Sequence, residues 1–272
     1  RIEAERLSEI VRVLASDEFE GRAPGTPGEQ KTVAYLVREF ENLGLVPGGE
    51  DGSWTQPVAL FRTLIEDPPP VTMAIGDKQL LFQQGTDLEV STVRPLENVK
   101  IESAPVVFVG FGVSAPERDW DDFGDIDLQG KVVLFLVNDP DFAAAADEPV
   151  AGVFGNRRMT YYGRWSYKFE EAARRGAVAA LVIHENEAAG YGWNVAASSP
   201  GENLSIVPAD GADTPVTLQG WLHYDAATRL FAAAGLDLEE QRVAARSHDF
   251  QAFELPQDRK STRLISRRSS CR

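Results

Sequence analysis

The sequence has little of what several protein classes require. It contains one cysteine in 272 residues, which excludes an internal disulfide framework and a cysteine-rich zinc site. It has no apolar run near the ~20 residues of a membrane-spanning helix, since its apolar runs, such as Val132 to Val137, are only as long as a strand. It is short of positive charge, with 27 basic against 42 acidic residues, and the net charge of −15 argues against nucleic acid or an anionic membrane surface as a partner. What is present, 43% hydrophobic and 25% charged residues, is typical of a globular protein of one or two domains.

The two ends of the chain differ from its body. The first residue is Arg1 and no charged-then-apolar leader follows it, so we expect either a removed signal peptide or a sequence that starts late. The last fifteen residues, 258–272, hold six basic residues and one acidic residue, whereas 21 basic and 41 acidic residues precede them. The segment from Asp258 to Leu264 also resembles the translation of a sequencing-adapter read. We therefore expect a disordered, non-native tail and a different natural sequence after Pro256; a natural basic tail is the alternative.

Two amphipathic helices are predicted near the amino terminus. Residues 3–14 place four apolar side chains on one helical face: Leu7, Ile10, Val11 and Leu14. A second helix is predicted to begin after Thr26, which caps it, with Pro27 in the first position and Glu29 completing a capping box. Its apolar stripe consists of Val33, Leu36, Val37, Phe40 and Leu43, and Gly44 is its expected end.

The rest of the chain alternates between predicted strands and helices. An edge strand is predicted at residues 54–61, because Pro57 cannot donate to a ladder, and short strands separated by turns are predicted over residues 62–104. Beyond them, the predicted strands are residues 105–110, 131–137, 177–183 and 215–223. The predicted helices are residues 166–175, 225–234 and 238–246. This order predicts an α/β (α+β) fold without internal repeats.

Three short motifs resemble ligand-binding loops, but each lacks a required part. Residues 110–115 match a dinucleotide fingerprint, yet Pro116 follows where a helix must begin. Residues 25–32 resemble a phosphate-binding loop, but its lysine, Lys31, is displaced from the required position directly after the second glycine. Residues 125–130 resemble the start of a calcium loop that has no glutamate in its twelfth position. We predict a glycine-rich turn, a helix cap and a solvated acidic turn instead.

The histidines form no recognisable catalytic motif. They are His184, His223 and His248, and their spacing supports no metal site, although it leaves a three-histidine site open. His184 and Glu185 follow a predicted strand, in which neighbouring side chains point to opposite faces and cannot chelate together. No Gly-x-Ser-x-Gly motif occurs and Cys271 lies in the tail, so the sequence offers no nucleophile.

Several segments, taken in order, nevertheless resemble one family. Residues 14–29, with the helix after them and Gly44-Leu45, are similar to the amino-terminal region of secreted bacterial di-zinc aminopeptidases, which are related to glutamate carboxypeptidase and the transferrin receptor. Later segments resemble the protease-associated (PA) domain that these enzymes carry as an insertion. Those segments are residues 106–112, 120–123, 130–137, 161–165 and 168–185. The resemblance covers about residues 5–255.

The resemblance implies a domain division and a parent activity. It implies that residues 1–98 begin a peptidase domain, that residues 99–257 form a β-rich PA domain with flanking helices, and that residues 258–272 are the tail. For the full-length parent it implies peptide hydrolysis with two zinc ions, a peptide or protein substrate, and a periplasmic or extracellular location.

The family's zinc ligands have no counterpart in this sequence. They are a His-x-Asp pair, adjacent acids, another Asp and a late His, and they follow the PA insertion. The acid pairs Asp121-Asp122, Glu170-Glu171 and Glu239-Glu240 lack the His-x-Asp pair, and Glu170-Glu171 is expected on the solvated face of a helix. We therefore expect no catalytic, cofactor-binding or metal-ligating residue in this chain.

Two functions remain open at this point. The first is an inactive amino-terminal fragment of a zinc-dependent aminopeptidase, a hydrolase whose PA domain resembles a lid or substrate-side wall. The second is a free-standing PA-type module for protein interaction or substrate gating. The natural sequence after Pro256 discriminates between them. A nucleotide-binding protein, which rests only on the turn at Gly110, ranks last.

Overall fold

The computed structural model describes residues 3–66, 68, 70–102, 104–198, 201–209 and 211–256, together with the backbone of residues 263–266. The chain divides into two compact units, Arg1–Leu60 and Phe61–Arg272. The boundary falls at the start of the first strand, β1 (Leu60–Leu64). None of the described helices is both long and apolar enough to cross a membrane.

The first unit contains two helices, α1 (Ala4–Leu14) and α2 (Pro27–Asn42), and two 3₁₀ turns, Asp17–Arg22 and Glu50–Gly52. Both helices are confirmed within a residue of their predicted bounds, because the apolar periodicity and the terminal signals agree.

The predicted cap of α2 is also confirmed. The Glu29 N–H donates to Thr26 Oγ1 (3.4 Å), and the Glu29 carboxylate accepts from the Gly25 N–H (2.7 Å), one residue further back than in a standard capping box. A Cβ on Gly28 would lie 2.2 Å from the carbonyl oxygen of Phe19, so only glycine allows the first turn of α2 to pack this closely against the preceding 3₁₀ turn.

The helices of the first unit bury little of their apolar stripes. Phe19 contacts Tyr35 edge-to-face and Phe40 stacks on Trp54, with ring centroids 6.0 and 6.2 Å apart. α1 contains no buried residue. Several large apolar side chains are exposed, among them Leu7 (56%), Val11 (58%) and Leu43 (74%).

The second unit holds the strands and the remaining helices. Its strands after β1 are β2 (Val71–Ile75), β3 (Lys78–Phe82), β4 (Leu88–Ser91), β5 (Val99–Glu102), β6 (Val106–Phe108), β7 (Ser114–Ala115), β8 (Trp120–Asp121), β9 (Val132–Leu136), β10 (Ala179–His184), β11 (Glu202–Ile206), β12 (Leu218–His223), β13 (Phe253–Glu254) and β14 (Arg263–Ser266). Its helices are α3 (Trp165–Arg174), α4 (Asn186–Ala189), α5 (Trp193–Ala196), α6 (Tyr224–Ala233) and α7 (Leu238–Ala244). A 3₁₀ turn spans Pro116–Arg118.

Six strands form a central sheet in the order β13-β6-β9-β10-β12-β4. The four inner strands are parallel, and the two edge strands run antiparallel to their neighbours. Every residue of β9 and β10 is buried, as expected for parallel strands covered on both faces. Alternate residues of β9 belong to two separate apolar clusters, one containing Leu230 of α6 and the other Phe169 of α3. This mixed sheet with helices confirms the predicted α/β fold.

A smaller sheet has the order β3-β2-β14-β5, and a two-stranded sheet pairs β1 with β11. In the smaller sheet, β14 pairs with β5 from Arg263↔Glu102 to Ser266↔Val99. The expected disorder of the tail is therefore wrong for residues 263–266, because a ladder is made by main-chain groups whatever the charge of the segment. The other residues of the tail lie outside the described residues.

The strand predicted at residues 54–61 is also wrong in most of its length. The structure begins strand pairing only at Leu60, where β1 starts, and the segment before it is irregular. Pro57 has no N–H to donate, and Trp54 packs its ring on Phe40 instead of entering a sheet.

Candidate functional site

The loops that follow the inner strands meet at one edge of the central sheet. A crevice of about 110 Å³ lies there, at the carboxyl ends of β6, β9 and β10. Open α/β sheets commonly bind ligands at this edge. The crevice is lined by Phe111, Val137, Asp139, Phe142, Ala143, Glu185, Glu187, Ala188, Arg242 and Arg246. It is termed the carboxyl-end crevice below.

A fully buried lysine ties together the loops around the crevice. Lys168 lies on α3, and its Nζ donates to the carbonyl oxygens of Phe111 (2.6 Å), Asn138 (3.2 Å) and Tyr162 (3.3 Å). Burial lowers the pKa of Lys168 to about 8, although two nearby carboxylates oppose this shift. The ammonium thus fixes the loops after β6 and β9 to the loop before α3.

The two carboxylates near this lysine are buried as well. Asp122 accepts from the Val113 N–H (2.9 Å) and from Trp120 Nε1 (2.8 Å), and Asp139 accepts from the N–H (2.6 Å) and the hydroxyl (2.7 Å) of Thr160. Burial raises the pKa of Asp122 to about 7 and also raises the pKa of Asp139. These internal hydrogen bonds hold the loops in place, and Asp139 also lines the crevice.

Two arginines line the crevice from the end of α7. Arg242 forms an ion pair with Glu185, the residue after β10. Arg246 donates to the carbonyl oxygen of Ala143 (2.8 Å), and its Nε lies 3.2 Å from Glu148 Oε2. Burial, and then the charge of Arg246, lowers the pKa of Arg242. The guanidinium groups of Arg242 and Arg246 therefore lie close together in a partly buried wall of the crevice.

His184 is enclosed by aromatic rings. It is the last residue of β10, so it lies within the strand and not after it, and its ring centroid is 5.4, 5.5 and 5.3 Å from those of Tyr191, Trp193 and Trp221. Burial lowers its pKa, and its Nε2 has no hydrogen-bond partner among the described residues. Glu185, by contrast, lies in the crevice, so the two neighbours are separated as predicted.

The other two histidines have local roles. His223 lies beside His184 in the register of β10 and β12, and its Nδ1 accepts from the Asp225 N–H (3.2 Å) at the start of α6. His248 contacts the ring of Trp120 at 5.7 Å. Across the described ranges, no three His, Cys, Asp or Glu residues are grouped so that they could hold a metal ion. The described residues therefore do not fit the zinc pair that the family resemblance implies for the parent.

The predicted turns are confirmed. The turn at Gly110 leads into β7 and the 3₁₀ turn Pro116–Arg118, and no α-helix begins there to hold a pyrophosphate. In the acidic turn, the exposed Asp127 accepts from the Gln129 N–H (2.9 Å), as in a simple Asx turn.

The acid pairs are placed differently from one another. Glu171 is buried and pairs with Arg174 (2.5 Å) and Arg175 (2.7 Å), so the expectation of a solvated face is wrong for Glu171 and holds only for Glu170, which is exposed. The reason is that two arginines of the same helix end compensate the buried charge. Glu239 lies 3.3 Å from Arg242 and extends its ion pairing.

No motif in the sequence predicts the crevice. One signal was available, because Asp139 and Glu185 each follow an apolar predicted strand, and the carboxyl ends of parallel strands meet at one edge. The burial of Lys168 had no such signal, since lysine on a helix is usually exposed.

No family model and no curated protein matches the chain. The solved structures to which it is similar include an aminopeptidase from Aneurinibacillus sp. strain AM-1 (18% identity, TM-score 0.39) and a zinc aminopeptidase from Bacillus subtilis (14% identity, TM-score 0.31). The matches cover 100% and 97% of this chain but 46% and 45% of those chains. The chain therefore spans less than half the length of either structure.

Proposed function

We propose that this chain is the amino-terminal part of a zinc-dependent aminopeptidase whose zinc ligands and catalytic groups lie outside it. The observation that carries the proposal is the exposure of the apolar stripes of α1 and α2, in the segment that resembles the start of this family. Leu7 is 56% exposed and Leu43 74%. Amphipathic helices are normally stabilised by an element that covers the apolar face. A following catalytic domain would supply that cover.

Under this proposal the second unit contains the PA domain and does no chemistry. The buried charged side chains of this unit support a structural role, because Lys168, Asp122 and Asp139 form hydrogen bonds with other groups of the chain. The full-length parent would hydrolyse peptides with two zinc ions in the periplasm or outside the cell, and the PA domain would form a lid or wall beside the substrate.

A free-standing PA-type interaction module is the second candidate. The observation that favours it is the central sheet of the second unit, whose two faces are both covered by that unit's own residues. Such a unit can be stable without a catalytic domain.

The test compares the 272-residue chain with the same body continued in the natural reading frame of its gene after Pro256. Both proteins are assayed with added zinc on aminoacyl chromogenic substrates, with and without a chelator. We expect turnover that the chelator abolishes in the continued protein and none in the 272-residue chain. Chelator-sensitive turnover by the 272-residue chain would contradict the proposal, and a natural stop codon soon after Pro256 would favour the interaction module.

A further inference from the structure

The segment that leads into α3 is basic, in contrast to the rest of the chain. Residues 149–169 form the longest stretch of the sequence without an acidic residue, and they contain four basic residues. Two of these have partners inside the protein, because Arg157 forms an ion pair and the buried Lys168 donates to carbonyl oxygens. The other two, Arg158 and Arg164, have exposed side chains.

These two arginines are also unpaired. Among the described Lys and Arg side chains of the second unit, all except Arg158 and Arg164 form a hydrogen bond or an ion pair with another described residue. Acids are not scarce, since the chain has 42 of them against 27 basic residues. Each free guanidinium therefore presents its whole fork of N–H donors, which matches the geometry of a carboxylate.

The exposed aromatic side chains of the protein lie in the same segment. Of the five tryptophans only Trp165 is exposed (48%), and of the six tyrosines only Tyr161 (54%), while the others are buried or half-buried. Met159 beside them is 40% exposed. Trp, Tyr and Arg are the residues most enriched in the hot spots of protein interfaces. Arg158, Met159, Tyr161, Arg164 and Trp165 are termed the arginine–aromatic surface below.

The backbone beneath this surface is held in place. The N–H and the hydroxyl of Thr160 both donate to the buried Asp139, at 2.6 and 2.7 Å. A Cβ on Gly163 would lie 2.9 Å from Cγ of Asp139 and 2.9 Å from Cγ of Met159, so glycine lets Met159 pack against the turn that leads to Arg164. A surface that is ordered before binding loses little conformational entropy when a partner binds.

Charge and size together define the class of partner. Free guanidinium groups suit carboxylates, and the exposed rings and thioether suit a large apolar side chain. Distant acids of the chain are screened beyond about 8 Å at physiological salt, and Glu170, the next acid in the sequence, accepts a hydrogen bond from the Tyr161 hydroxyl (2.6 Å). A folded partner typically covers about 20–30 residues. The arginine–aromatic surface is much smaller and suits a short extended segment.

We propose that the arginine–aromatic surface is a docking site for a short acidic segment of another protein. Carboxylates of the segment pair with Arg158 and Arg164, and a large apolar side chain packs against Met159 and Trp165. Exposed arginine and aromatic residues also bind single-stranded nucleic acid, but the net charge of −15 argues against that ligand. The inference concerns the second unit alone, so it does not depend on the proposed peptidase relationship.

The test selects binders from a library of random short peptides. The full chain is compared with the double variant Arg158→Glu/Arg164→Glu, which alters only exposed side chains. We expect the peptides enriched on the parent over the variant to contain Asp and Glu at least about twofold more often than the library does. Both proteins carry the basic residues of the tail, so peptides that bind the tail are not enriched.

The best selected peptide is then titrated by fluorescence anisotropy. The double variant should weaken its binding at least about tenfold, because each reversal places like charges together. Arg38→Glu is the matched control and should leave the Kd unchanged, since Arg38 of α2 is also exposed and has no side-chain partner among the described residues. Trp165→Ala, checked for an unchanged melting temperature, should weaken binding at least about fivefold.

Four results overturn the proposal. The first is that no peptide is enriched on the parent over the double variant, and the second is that the enriched peptides are no richer in Asp and Glu than the library. The third is that Arg38→Glu weakens binding as much as the double variant does. The fourth is that single-stranded oligothymidylate binds the parent more tightly than the selected peptide, which would assign the surface to nucleic acid.

Discussion

At the scale of single residues, the stability of the second unit depends on Lys168. Replacing it with methionine would keep the volume but leave three carbonyl oxygens without their shared donor, and it would remove the buried positive charge that attracts Asp122 and Asp139. Removal of one partner from a buried ion cluster typically costs about 3–5 kcal/mol. We expect Lys168→Met to lower the free energy of unfolding by that order, measured by urea denaturation at pH 7.

The control for this prediction is Lys100→Met. Lys100 is 58% exposed at the side chain and lies 2.9 Å from Glu102, so its loss should cost less than about 1 kcal/mol. If the two variants were equally stable, the buried lysine would not be holding the loops around the crevice.

Glu89 gives a prediction about pH. This residue of β4 is 7% exposed, and its Oε1 accepts from the Gly201 N–H (2.6 Å) and Gln84 Nε2 (2.8 Å), while its Oε2 has no partner among the described residues. Burial raises its pKa from 4.5 to about 7. The folded state therefore holds the proton of Glu89 more tightly than the unfolded state does. The contribution of protonated Glu89 to the free energy of unfolding is fully present below pH 4.5 and is lost as the pH rises through 7.

Glu89→Gln imitates the protonated acid. We therefore expect it to be close to the parent in stability at pH 4.5 and more stable by about 1–3 kcal/mol at pH 8, measured by urea denaturation at both values. Glu202→Gln is the matched control, because Arg62 lowers the pKa of Glu202 by hydrogen bonding, and this variant should gain nothing at pH 8. If the free energy of unfolding of Glu89→Gln changed with pH as that of the parent does, the pKa of Glu89 would not be raised in the folded protein.

At the scale of elements, deletion of the tail distinguishes the disorder expected from its charge pattern from the β14–β5 pairing seen in the structure. In the described part of the chain, β5 is paired by β14 alone. Deleting residues 258–272 should therefore raise hydrogen exchange at the amides of Val99–Glu102 by about tenfold or more, because their ladder is removed. The amides of β10 serve as the internal control and should not change. Unchanged hydrogen exchange in β5 would contradict the β14–β5 pairing and support the disordered tail that the charge pattern predicts.

The same scale shows what the sequence could and could not predict. α2, α3, α6 and α7 and the inner strands of the sheet were predictable, since each has a strong local period or an apolar run with clear ends. The pairing of β4 with β12 was not, because it joins segments more than a hundred residues apart. There a Cβ on Gly220 would lie 1.9 Å from the carbonyl oxygen of Glu89, a constraint visible only once the strands meet. The crevice was missed for the same reason, since Arg242 and Glu185 come together only through the fold.

At the scale of the whole molecule, the position of the stable body can be tested. The family resemblance predicts a domain boundary at residue 98, whereas the contacts of the structure divide the chain after Leu60. Val71, Met73 and Leu88 belong to the same buried cluster as Val106, so the strands before residue 98 share a core with those after it. A segment that shares a core unfolds with it, and is cleaved only when the core opens.

Limited proteolysis should therefore leave a resistant fragment that begins near Phe61 and extends at least to Leu255. The first unit should be cleaved early, because α1 buries no residue and the stripe of α2 is largely exposed. Mass spectrometry of the fragment identifies its first residue, and the time course of cleavage in β9 reports on the core. A fragment that begins near residue 99 would instead support the boundary implied by the family resemblance, and it would mean that the strands β2 to β4 separate from the central sheet more easily than their shared burial indicates.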